Sequence, residues 1–67
     1  MKRAELIRLE PRHSPFGGEI WVAVIWCEGR KHFEFGATPF AAKRAAYRLA
    51  RARRWLLVDR TQRRFGK

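Results

Sequence analysis

A chain of 67 residues is enough for one small domain and too short for two independent hydrophobic cores or a deep catalytic cleft. Sixteen Lys and Arg against six Asp and Glu give a formal charge of +10, a self-repulsion that an anionic partner relieves. The lone cysteine, Cys27, has no internal disulfide partner, so a reducing, cytoplasmic setting is the expectation.

In chain order, "MKRAELIRLEP" breaks its apolar positions with charge and is not expected to be a signal peptide. Within it, Ile7 and Leu9 fall on one side and Arg8 and Glu10 on the other, which predicts a short half-buried strand ending before Pro11. "PRHSPFGG" reads as a loop. Glu19 to Cys27 is rich in β-branched and aromatic residues and predicts a strong strand; its apolar run, Ile20–Cys27, is too short to span a bilayer. Glu28 and Gly29 supply a turn into "RKHFEF", where Phe33 and Phe35 alternate with His32 and Glu34. Thr38 as N-cap and Pro39 at the first helical position start a helix that should run to about Arg54 or Trp55. "LLVDRT" is a fourth short strand or a packed tail, and "QRRFGK" (62–67) a basic, mobile terminus. The expected architecture is a single α+β domain (1–67), with a three-stranded antiparallel sheet packed on one C-terminal helix, in the order β-β-β-α.

At about 100° per residue, Ala42, Ala45, Ala46, Leu49 and Ala52 line one side of that helix. Lys43, Arg44, Arg48, Arg51 and Arg54 line the other, with Phe40, Tyr47 and Trp55 among them. A flat alanine side suits close approach to a sheet, with Phe33, Phe35 and either Trp21 or Trp26 expected to fill the gap. Two readings of the charged side compete. It is a solvated face with Phe40 at the helix start, Tyr47 along an arginine stem and Trp55 folded back onto the sheet, or a stripe where arginines meet phosphates and rings meet bases or sugars. The second strand is apolar on both faces, and one helix covers only one. The other face must meet the "LLV" stretch, a second copy of the chain or a ligand.

Catalysis has no constellation to carry it. His13, His32, Cys27 and Glu34 lack zinc-type spacing, the carboxylates are dispersed among arginines, and "FGG" lacks the flanks of a phosphate loop. A non-enzyme without metal or cofactor is expected.

The stretch "GATPFAAKRAAYRLA", Gly36–Ala50, resembles the last strand and final helix of a double-stranded-RNA-binding domain, with Gly36, Thr38, Ala42, Ala45 and Ala46 in matching positions. The positions of that family's two phosphate-binding lysines hold Pro39 and Phe40, with Lys43 and Arg44 one turn later. The β-β-β-α order over residues 18–52 also resembles integrase arm-binding domains and the ethylene-response-factor DNA-binding domain. That likeness implies a sheet that enters the major groove, with Arg8, Arg12, Trp21, Arg30, Lys31 and His32 facing away from the helix.

The expected function is non-catalytic nucleic-acid binding, DNA or RNA, with the phosphate backbone held by arginines. The helix supplies Lys43, Arg44, Tyr47, Arg48, Arg51 and Arg54, and the strands and turns supply Arg12, Trp21, Arg30 and Lys31. The alternative is a small phage-type accessory or inhibitor protein that docks on an acidic protein surface, anchored by a tryptophan. A homodimer is compatible with either. Membrane attachment is not expected, because an alanine face inserts poorly.

Overall fold

The computed structural model describes residues 1–61, so the basic stretch 62–67 lies outside the described residues. Five elements follow one another: β1 (Lys2–His13), β2 (Glu19–Cys27), β3 (Arg30–Gly36), α1 (Pro39–Arg53) and β4 (Trp55–Asp59). The strands form one sheet in the order β3-β2-β1-β4. β1, β2 and β3 pair antiparallel, whereas β4 runs parallel to β1.

The architecture is therefore α+β with the helix on the sheet, but the sheet is mixed and four-stranded, not three-stranded antiparallel, and the helix does not end the fold. The reason is the helical crossover. α1 leaves the β3 edge, returns the chain to the starting end of the sheet and delivers "WLLVD" to the free edge of β1, where the next strand can only run parallel.

β1 is longer than its sequence suggests and continues through Pro11. β4 pairs with Lys2–Leu6, so among the described residues one side of β1 has no strand partner beyond Leu6, and a proline without an N–H is tolerated there. A bulge between Leu6 and Arg8 inserts Ile7 as an extra residue. It resets the alternation. Leu6 and Leu9 face the helix side, while Arg8, Glu10 and Arg12 face the opposite side, so the expected pairing of Ile7 with Leu9 on one face does not hold. The β2–β3 turn matches its sequence: Glu28 (φ 52°) and Gly29 (φ 78°) both take the positive φ that a two-residue type I′ hairpin requires.

Thr38 caps α1 from extended backbone, its Oγ1 accepting a hydrogen bond from the Ala41 amide at 3.0 Å. Thr38→Ala is expected to lower stability by about 1 kcal/mol, read as a fall in the urea midpoint at unchanged slope. At the other end Arg54 adopts the left-handed conformation (φ 60°), and its amide donates back to the carbonyls of Ala50 and Arg51. The helix therefore stops before the position the sequence suggested, and Trp55 belongs to β4.

Ala42, Ala46 and Ala50, spaced four apart, are the buried line of α1, whereas Ala52 is exposed. Ala42 and Ala46 meet Ala4, Leu6, Ala23, Ile25 and Cys27 of the sheet, with Leu9, Trp21, Leu49, Trp55 and Leu57 around the rim. Small residues on both sides leave little gap to fill. Phe33 and Phe35 are not there: they pair with Val24 and Val22 and lie on the face away from the helix. Gly36, opposite Trp21, takes the helix-side position instead, where the chain turns into α1.

Candidate nucleic-acid interface

Phe40, Lys43, Arg44, Tyr47, Arg48 and Arg51 stand three or four residues apart on the side of α1 that faces solvent. They line an open groove of about 410 Å³. The Arg44 guanidinium lies 5.8 Å from the Phe40 ring centre, within cation–π range, which joins a ring and a charge on one surface.

The residues of this groove differ in how free they are. Asp59, at the end of β4, draws two of them inward: Lys43 Nζ lies 2.9 Å and the Tyr47 hydroxyl 3.0 Å from its Oδ2. Its other oxygen accepts from the Thr61 amide at 2.9 Å and the Thr61 hydroxyl at 2.6 Å. Burial by itself would raise the Asp59 pKa. The hydrogen bonds from Thr61, Lys43, the Thr61 amide and Tyr47 outweigh that and hold it at about 2. The Tyr47 hydroxyl is pushed above the usual tyrosine range, first by burial and then by the hydrogen bond and charge of Asp59, so it remains a donor at neutral pH.

Lys43 and Tyr47 thus tie the helix to β4. Among the described residues no ion pair engages Arg44, Arg48 or Arg51, all of them exposed. Arg54 leaves the stripe, because its left-handed backbone breaks the helical spacing that would have placed it there.

The strand residues divide between two faces. Trp21, one of the two tryptophans expected under the helix and the one that the sheet-in-groove resemblance would turn away from it, packs on the helix-side core at the rim. The physical reason is register: Trp21 pairs with Gly36 and shares the parity of Ala23, Ile25 and Cys27. His32 shares that side, opposite Ile25, and its ring meets Trp55 edge-on at 4.9 Å. Arg30, opposite Cys27, lines a cleft of about 310 Å³ with Lys2, Cys27, Glu28, His32, Arg53 and Trp55. Arg53 there lies 5.7 Å from the Trp55 ring centre. These corrections move Trp21, Arg30 and His32 off the sheet's open face.

Arg8, Arg12 and Lys31 remain on that face, opposite Val24, Ile20 and Trp26 respectively. Trp26, Phe33 and Phe35 join them there with substantial exposure. No site reading of the sequence included these three rings. The alternation of Phe33 and Phe35 was visible, but which side the helix would take was not.

Among the described residues, no three His, Cys, Asp or Glu side chains gather to hold a metal ion, and no helix is long and apolar enough to cross a membrane. Comparison with protein-family models, curated proteins and solved structures finds no match.

Proposed function

We propose that this protein is a small, non-catalytic nucleic-acid-binding domain that grips the phosphate backbone through α1. The observation that carries the reading is the row Arg44, Arg48 and Arg51. Three exposed guanidiniums stand along one helix line with no acidic partner among the described residues, beside the Phe40 ring. Guanidiniums spaced this way suit bidentate contacts to successive phosphates. Binding of this kind is strongly salt-dependent and indifferent to sequence, because phosphate contacts fix position without reading bases.

The test is the variant Arg44→Gln/Arg48→Gln/Arg51→Gln, titrated against duplex DNA and duplex RNA over a range of salt concentrations. On B-DNA the slope of log affinity against log salt should flatten by about 2.7, since each lost phosphate contact removes about 0.9. An unchanged slope and affinity would exclude the helix stripe as the footprint.

The same groove, rich in arginine with Phe40 and Tyr47, also has the residue types of a protein-interface hot spot. If the purified protein brings down a defined acidic protein, and no nucleic acid that high salt releases, the accessory or inhibitor reading takes its place.

A further inference from the structure

Among the described residues, no helix covers the sheet's second face. β2 contributes Ile20, Val22, Val24 and Trp26 to it, and β3 contributes Lys31, Phe33 and Phe35. The "LLV" stretch does not close it, because β4 is a strand at the sheet's edge and not a lid. Even so, Val22 and Val24 are each only 1% exposed. Their cross-strand neighbours, Phe33 and Phe35 on one side and Arg8 and Glu10 on the other, close over them. The aliphatic floor is therefore dry already, and what faces solvent is aromatic: Trp26 is 41% exposed, Phe33 48% and Phe35 57%.

We infer that this face is a second nucleic-acid site, a stacking platform for unpaired bases of a single strand. Phe33 and Phe35 are alternate residues of one strand, so their backbone positions stand about 7 Å apart, and Trp26, opposite Lys31, is diagonal to Phe33. Three neighbouring exposed rings on one face offer successive bases a π-face each, a contact that tolerates any sequence. A base pair within a duplex has its faces covered by its neighbours. Only an unpaired strand presents them.

β1 places the charge where such a strand needs it. Arg3, Arg8 and Arg12 share the open face with Glu5 and Glu10, two strand spacings or about 10 Å from the β3 rings. Arg8 and Arg12 both pair with Glu10, and Arg3 and Arg60 both pair with Glu5. Two carboxylates thus orient four guanidiniums and leave the rail with net positive charge. Bases on the rings put phosphates toward this rail. A second copy of the chain is the poorer occupant, since two molecules of +10 would bring like-charged rails together. The platform lies on the opposite side of the sheet from α1, and it shares with the helix stripe only the premise that the partner is a nucleic acid.

The test uses the full chain with Phe33→Leu/Phe35→Leu, which keeps apolar cover over Val22 and Val24 while removing the π-faces. Circular dichroism first establishes that the variant melts as a folded domain, and Trp26→Leu serves as a second, independent ring deletion. Labelled twelve-nucleotide oligo-dT, oligo-rU and a duplex of equal length are then titrated by fluorescence anisotropy. The expected result is at least a tenfold loss of single-strand affinity in both variants, with duplex affinity within twofold of the parent. The two homopolymer arms show whether DNA or RNA is preferred.

The inference is overturned if both variants bind single strands as tightly as the parent, or if the parent binds duplex but no single strand, an outcome that leaves the helix proposal standing. It is also overturned if the parent is a dimer that the leucine pair converts to monomer and oligo-dT does not dissociate. If the parent binds neither duplex nor single strand at low salt, both proposals fall together.

Discussion

Gly36→Ala is expected to destabilise the domain by about 3 kcal/mol, the upper range for an overpacked site, and to lower its melting temperature by roughly 15 °C. Close approach, and not backbone freedom, is the cause. A methyl group at Gly36 would stand 2.6 Å from the Ala41 carbonyl carbon and 2.8 Å from the Ala41 Cβ, and nearer still to the Ala42 amide nitrogen. Two of those three atoms are backbone in the first turn of α1, so no rotamer change relieves the overlap. The helix must lift, and with it the contacts of Ala42 and Ala46 to Ala23 and Ile25. A domain of this size has only about 3–10 kcal/mol of stability, so the loss is a large fraction of the whole. Gly18→Ala is the comparison: no atom lies within 4 Å of its added methyl, and only the left-handed φ of +80° opposes it. That costs about 1 kcal/mol. Thermal melts of the two variants decide the matter, and equal melting temperatures would mean that α1 does not rest on Gly36.

Asp59→Asn is expected to cost about 2 kcal/mol at neutral pH, following from a carboxylate held at about 2 against an ordinary value near 4. The variant leaves Lys43, whose side chain is 25% exposed, without its counter-charge, and weakens the bonds from Tyr47 and Thr61. The sign of the pH dependence follows from the direction of the shift. A depressed carboxylate pKa contributes its stability above the unfolded value and loses it as pH falls through the folded one. The gap between parent and variant should therefore be constant from pH 7 down to about 5 and close between about pH 4 and 2. Urea midpoints at pH 6, 4 and 3 measure this. A gap as wide at pH 3 as at pH 6, where charge alone would have it about half closed, would assign the effect to packing and not to charge.

Release of Lys43 and Tyr47 in that variant also bears on binding. Both line the groove with Arg44, Arg48 and Arg51. In the parent Lys43 is neutralised by Asp59 and Arg54 leaves the stripe at the left-handed cap, so the helix offers a phosphate backbone three free charges where its sequence suggests five.

Much of this arrangement was legible beforehand because its causes are local. The Glu28–Gly29 turn, the Thr38–Pro39 helix start and the alternation of β2 and β3 are written in neighbouring residues, and each stands where the sequence placed it. The stripe Arg44, Arg48, Arg51 followed from helical spacing alone. The end of the helix did not, since a left-handed Arg54 takes a conformation that glycine more often marks.

Residue types alone set the composition of the surfaces: an excess of positive charge, an alanine line on the helix and a β2 strand apolar on both faces. Which surface each residue joined was fixed by contacts between distant parts of the chain. A strand's period of two gives parity without direction, and the direction came from three non-local facts. Gly36 packs against the first turn of α1, which puts Phe33 and Phe35 outside. The Ile7 bulge turns Arg8, Glu10 and Arg12 onto that same open face. The crossover then carries β4 to the far edge, where Asp59 meets Lys43 and Tyr47. Each depends on residues far apart in sequence coming within a few ångströms, and no local pattern encodes that.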